Sequence, residues 1–272
     1  MASIPHTRHH RIEVMGTVVT LDLYGDEPLE RPEVDAAIDE ARAVLERADR
    51  VFSTWRADSP MSRLRRGEIA LGEAPSEVTD VLDGCREAKE LSGGWFDPWA
   101  MPGGVDPTGY VKGWAGARAL AVLRIAGVTG AMVNAAGDIA SFGGVSDNPF
   151  RIGIVRPDAP GSLACVVTLR DAIATSGDYQ RGPHLINPFS GEAATRVASA
   201  SVTGPDLALA DALATALAVG GDEVLARIER IEGYEALAIG ADGSRSRTPD
   251  FALADVLNRD GARAKRQLRA RS

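Results

Sequence analysis

Asp211 and Thr215 stand four positions apart in Ala210-Asp211-Ala212-Leu213-Ala214-Thr215, so a helix there puts both on one face. Both side chains offer oxygen. Hard Mg2+ prefers oxygen and needs only one or two ligands from a protein when phosphates supply the rest. The plainer reading is an acid that favours the helix dipole, with threonine as filler. Asp106-Pro107-Thr108-Gly109-Tyr110-Val111-Lys112-Gly113 sets an acid, a glycine carbonyl and a lysine at a helix start, where phosphate is attracted. The spacing is not that of a P-loop, and a turn followed by a surface lysine is the alternative. His184 is the only histidine beyond the first ten residues. An imidazole titrates near neutral pH, so at a strand end it suits acid–base work; a lone histidine in an apolar step is otherwise structural. Thr175-Ser176-Gly177-Asp178-Tyr179 is small and polar after an apolar run. No Gly-x-Ser-x-Gly elbow accompanies it, which argues against a serine hydrolase.

The elements that must position these residues follow from periodicity. Ile12 to Leu23 is rich in Val, Thr and Ile and reads as one strand, bulged at Gly16. Pro32 to Val51 has apolar residues at helical spacing, with Pro32 in the first turn. A short helix follows Ser59, and a second amphipathic helix runs from Ser76 to Leu91 and stops at Gly93-Gly94. Tyr110 to Ala126 reads as helix. Strand-like pieces come at Ala131 to Asn134, Arg151 to Val155, Leu163 to Leu169 and Ala172 to Thr175. Pro205 to Val219 is helical, Asp222 reads as the N-cap of a further helix, and Glu235 to Ile239 reads as the last strand. Strands and helices mix without regular βαβ alternation. The expectation is an α+β fold, a single domain of mixed or antiparallel sheets with packed helices. Residues 1–11 are expected as a disordered tail, 12–257 as the domain, and 258–272 as a basic, frayed tail.

Composition narrows the classes. The chain has 272 residues, 44% of them hydrophobic, enough to bury a core. Its formal net charge of −8 argues against a nucleic-acid partner, and phosphate ligands then need a metal, a helix N-terminus or placed cations. The two cysteines, Cys85 and Cys165, fit no metal or redox spacing. No apolar run reaches the roughly 18 residues of a membrane span, and Met1 to Arg11 has no signal-peptide apolar core. A cytoplasmic location without membrane insertion is the expectation.

Taken in order, the motifs resemble the FAD:protein FMN transferase family (ApbE type), over about residues 12 to 240. The resemblance rests on Met15-Gly16-Thr17, Phe52-Ser53-Thr54-Trp55, Ser59-Pro60-Met61-Ser62-Arg63-Leu64, Phe96-Asp97-Pro98 and Asp106 to Gly113. It continues through Asn134-Ala135-Ala136-Gly137-Asp138-Ile139, Thr175 to Tyr179, His184-Leu185-Ile186-Asn187-Pro188 and the Asp211–Thr215 helix. It implies a fold related to tunnelling-fold domains. It also implies Mg2+-dependent transfer of FMN from FAD to a Thr or Ser hydroxyl of an acceptor protein, with AMP released. By the same resemblance, Asp211, Thr215 and the Gly109 carbonyl hold Mg2+. Met15, Trp55, Phe96, Asp97, Asp106, Lys112 and the backbone near Leu185 line the FAD site, and His184 is the candidate base. Asn187 stands where the family has Asp, Ala136 where it has Gly, and the stretch between Asp97 and Asp106 is short. A FAD pyrophosphatase and a FAD-binding or carrier module with little turnover are the alternative functions.

Overall fold

The computed structural model describes residues 5–124, 126–145, 148–159, 161–177, 185–193 and 197–254. Its first two strands, β1 (His6–Val14) and β2 (Thr17–Gly25), form a hairpin closed by Met15 and Gly16 at φ 53° and 66°. Two consecutive positive φ values give a turn whose twist matches that of the strands. The expected single bulged strand is therefore two strands. Nor is the segment from His6 onward a tail: it pairs from His6↔Gly25 to Val14↔Thr17. Ile12 and Val14 point into the core, while Arg8 ties the strand down through the Leu29 carbonyl at 3.1 Å and Asp35 at 2.6 Å.

Four helices follow. Helix α1 (Pro32–Phe52) buries Val34, Ile38, Ala41, Leu45, Ala48 and Phe52 along one stripe. Helix α2 (Pro60–Arg65) is capped by Ser59, whose Oγ accepts the Ser62 N–H at 3.0 Å. Helices α3 (Ser76–Leu91) and α4 (Thr108–Arg124) come next, joined by a segment with one 3-10 turn at Pro98–Ala100. The chain then builds β3 (Gly130–Ala135), β4 (Asp138–Gly143), β5 (Phe150–Val155), β6 (Leu163–Leu169), β7 (Ala172–Ser176) and β8 (Ser199–Gly204). Helices α5 (Leu207–Gly220) and α6 (Asp222–Ile228) precede β9 (Glu235–Ile239) and β10 (Arg245–Arg247). Asp222 is the first helical residue of α6, not its cap; Gly221, at φ 62°, takes the cap position because the chain reverses there.

Eight strands form one sheet in the order β1-β2-β3-β4-β7-β8-β9-β10, every neighbouring pair antiparallel. Side chains alternate between two apolar layers. On β9, Ala236 and Ala238 face the helices, whereas Leu237 and Ile239 face a smaller core under the separate β5–β6 hairpin. This is the expected α+β class. Helix α5 runs through the middle of the helical layer and buries every residue except Leu209 and Thr215. Helix α4 crosses it at Gly113, where a Cβ would collide with the Leu207 carbonyl oxygen. That contact, which only glycine permits, brings the preceding residue, Lys112, up to Asp211. Cys85 is a buried thiol and Cys165 a half-buried one, and both are free. Among the described residues no helix is long and apolar enough to cross a membrane.

Candidate active site

The crossing of α4 and α5 faces the ends of β4 and β7, and polar groups converge there inside an otherwise apolar layer. Asp211 is 1% exposed. Its Oδ2 accepts the Gly113 N–H at 3.2 Å, and its Oδ1 lies 3.8 Å from Lys112 Nζ. The same ammonium pairs with Oδ2 of Asp138, a second carboxylate 1% exposed at the head of β4. Oδ1 of Asp138 accepts the Thr175 N–H at 3.2 Å. One turn beyond Asp211, the Thr215 hydroxyl lies 3.2 Å from that of Ser176 at the end of β7. A Cβ built on Gly109 would sit 3.3 Å from Thr215 Oγ1 and 3.2 Å from Cε2 of Phe96, a buried ring. Glycine there lets the first turn of α4 approach Thr215 closely.

The electrostatics of this cluster are unbalanced. Two buried carboxylates share one ammonium. Burial, and then the charge of Asp138, push the Asp211 carboxyl up to about 8 against the opposing pull of Lys112 and the Gly113 N–H. A buried carboxylate one helical turn from a hydroxyl suits a hard divalent cation, which prefers oxygen and relieves the excess negative charge. Among the described residues no group of three His, Cys, Asp or Glu side chains could hold a metal by itself. A cation here would therefore rely on Asp211 together with neutral oxygens, the remaining positions being filled by water or by the oxygens of a bound phosphate.

The remaining positions sit on separate supports. Asp106 accepts the Thr108 N–H at 3.0 Å, which caps α4, and lies 3.4 Å from Arg65 Nη1. The Arg65 guanidinium also donates to the carbonyls of Pro102 and Gly103 at 2.9 and 3.2 Å, so it straps down the short 97–106 segment. Asp97 caps the 98–100 turn through the Trp99 N–H at 3.0 Å and pairs with Lys89 at 2.7 Å. Trp55 is 95% exposed. Its loop is nevertheless fixed: the Ser59 and Ser62 hydroxyls donate to the Ser53 carbonyl at 2.5 and 3.0 Å, and Ser53 Oγ accepts the Arg56 N–H at 3.2 Å. Met15 holds the β1–β2 turn and Leu185 packs, half-buried, on the main core. His184, Asp178 and Tyr179 lie outside the described residues.

The structure thus brings together Phe96, Gly109, Lys112, Asp211 and Thr215, and adds Asp138 and Ser176, which sequence reasoning did not select. The signal for Asp138 was an acid directly after a turn and at the head of an apolar strand. A groove of about 530 Å3 lined by Arg86, Lys89, Glu90, Gly93, Gly94 and Trp99 opens beside the Lys89–Asp97 pair; none of its lining residues belongs to the oxygen cluster.

Comparison with known proteins bears on this arrangement. The profile of the ApbE family matches residues 15–104 and 100–238. A FAD:protein FMN transferase of Rhodobacter capsulatus is 37% identical over 54% of this chain, and the match spans 30% of that relative's own length. A FAD:protein FMN transferase of Treponema pallidum is 27% identical, with 84% of this chain and 83% of the relative covered. The crystal structure of the ApbE protein from Thermotoga maritima superposes with a TM-score of 0.79 at 21% identity, covering 90% of this chain and 98% of that one.

Proposed function

The chain belongs to the ApbE family, and from that premise we propose that it transfers the FMN half of FAD to a Thr or Ser hydroxyl of an acceptor protein. The observation that carries this reading is the buried oxygen cluster at the α4–α5 crossing, where Asp211 meets Lys112 and Thr215 meets Ser176. Asp211, Thr215 and the Gly109 carbonyl would hold Mg2+ against the FAD pyrophosphate. Bound there, Mg2+ would withdraw charge from the phosphate oxygens as the phosphorus is attacked. Phe96 floors the site, and Met15, Trp55, Asp97, Asp106, Lys112 and Leu185 complete the FAD contacts. The indole of Trp55, held out on its serine-braced loop, offers a flat apolar face to a ring of FAD. In the step itself the acceptor oxygen forms a bond to the FMN phosphorus, the bond from that phosphorus to the bridging oxygen breaks, and AMP leaves. His184 takes the proton from the attacking hydroxyl, a contribution on the order of 10²–10⁴-fold.

The test is AMP release from FAD and Mg2+ in the presence of a threonine-containing acceptor domain. Asp211→Ala is expected to abolish it, and wild-type-like release by that variant would contradict the assignment. His184→Ala is expected to slow release while FAD affinity stays within about threefold; a variant that unfolds instead would make His184 structural.

A further inference from the structure

The Lys112 ammonium stands at a fork. It pairs with Asp138 and lies 3.8 Å from Asp211 Oδ1, and both carboxylates are 1% exposed. A charge-assisted N–H···O contact is about 2.8 Å long, so a movement of roughly 1 Å would close the ammonium directly onto Asp211. The lysine stem is flexible enough for that shift. Poor access to water makes either pairing strong. Each carboxylate is anchored by a backbone N–H at 3.2 Å, Asp138 by Thr175 and Asp211 by Gly113; what differs is that the ammonium is closed onto Asp138 and stands off from Asp211. Asp138 sits at the head of β4 and its second oxygen accepts the Thr175 N–H, so its carboxylate is tied to β7 and cannot follow a moving ammonium. Thr175 is itself fixed, its hydroxyl 2.8 Å from that of Ser201.

We propose that Asp138 is a positioning residue that tethers Lys112 and keeps its ammonium from closing onto Asp211, so that Asp211 stays open to a divalent cation. This rests on the metal reading of the site given above. The tether also changes the part played by Lys112. Paired with Asp138, it reduces the excess negative charge around Asp211 without occupying the metal position.

The experiment reads Mg2+ binding directly, as the Mg2+ concentration at the midpoint of the thermal-stability rise, with no substrate present. In Asp138→Asn the amide still accepts the Thr175 N–H but no longer holds the ammonium, and the midpoint is expected to rise about tenfold or more. Adding Lys112→Met to that variant removes the competing cation and restores the wild-type charge sum around Asp211; the midpoint is expected to return to within about threefold of wild type. An unchanged midpoint in Asp138→Asn overturns the tether. A raised midpoint without rescue in the double variant also overturns it, and would make Asp138 a metal ligand or a purely structural group. Should Asp138→Asn fail to fold, Asp138→Ser carries the same pair of measurements, since its hydroxyl can also meet the Thr175 N–H. A wild-type protein with no Mg2+ response contradicts the metal reading itself, whereas a wild-type response without rescue contradicts the tether alone.

Discussion

Asp211 links stability to pH. Its folded carboxyl is pushed up from 3.8 to about 8. Between those values the folded state binds more protons than the unfolded one, so the metal-free protein loses stability as pH rises through that window. Asp211→Asn stays neutral and removes this slope. Melting temperatures measured in chelator from about pH 5 to about pH 8 should fall for wild type and stay flatter for the variant; equal slopes would contradict the buried-anion account. Ala136 gives a second single-residue prediction. With Gly137 it turns the β3–β4 hairpin, and it sits at φ 57°, the left-handed region. That conformation costs an L-residue about 1–2 kcal/mol, and glycine's entropy returns part of the gain. Ala136→Gly should raise stability by about 0.5–1 kcal/mol, read as a rise of a few degrees in Tm. The replacement of the family glycine by Ala136 was visible in the sequence. Its consequence was not, because only the backbone reveals the strain. Asp138 stands in one of the motifs yet receives no role from the sequence, for a related reason: its importance comes from Lys112 and Thr175, which are 26 and 37 positions away along the chain.

The amphipathic helices were the legible elements. The repeat that predicts Ser76 to Leu91 matches α3, and Pro32 fixes the start of α1. Three strands were missed. β4 and β8 mix small and polar residues, so neither shows strong alternation: β4 is buried over its first four residues and β8 over its own first four. β10 is three exposed residues, Arg-Ser-Arg, paired to β9 and tied by Arg245 to the Ala164 carbonyl at 3.0 Å, with no apolar pattern to announce it. The β1–β2 hairpin was misread because its turn has Met15 where glycine or asparagine is usual. Between elements, the α4–α5 crossing is the contact on which the site depends. Gly113→Ala puts a methyl group against the Leu207 carbonyl and the Ala208 Cα. It should cost about 1–3 kcal/mol and weaken Mg2+ binding together, because the helices must separate. Gly116→Ala is the control, since its added methyl meets the Leu207 side chain at 3.2 Å and no backbone. Denaturant unfolding of the two variants checks the order; a more damaging Gly116→Ala would contradict the stated crossing.

At the scale of the whole molecule, a formal net charge of −8 gives no general attraction for phosphate. Attraction must come from the local cluster, and in the proposed function a metal supplies it. The antiparallel sheet serves as a platform: its strand ends deliver Asp138 and Ser176 to one side of the helical layer, while α4 and α5 deliver Gly109, Lys112, Asp211 and Thr215 from the other. The order of motifs along the chain pointed to the family; the way four elements meet at one buried point could be read only from the fold. The most direct test of the proposed activity is the intact mass of a threonine-containing acceptor domain after incubation with this protein, FAD and Mg2+. The account predicts a gain of one FMN phosphoryl unit on the acceptor, dependent on Mg2+ and lost in Asp211→Ala. AMP release with no gain in acceptor mass, across acceptors known to take FMN, would contradict it.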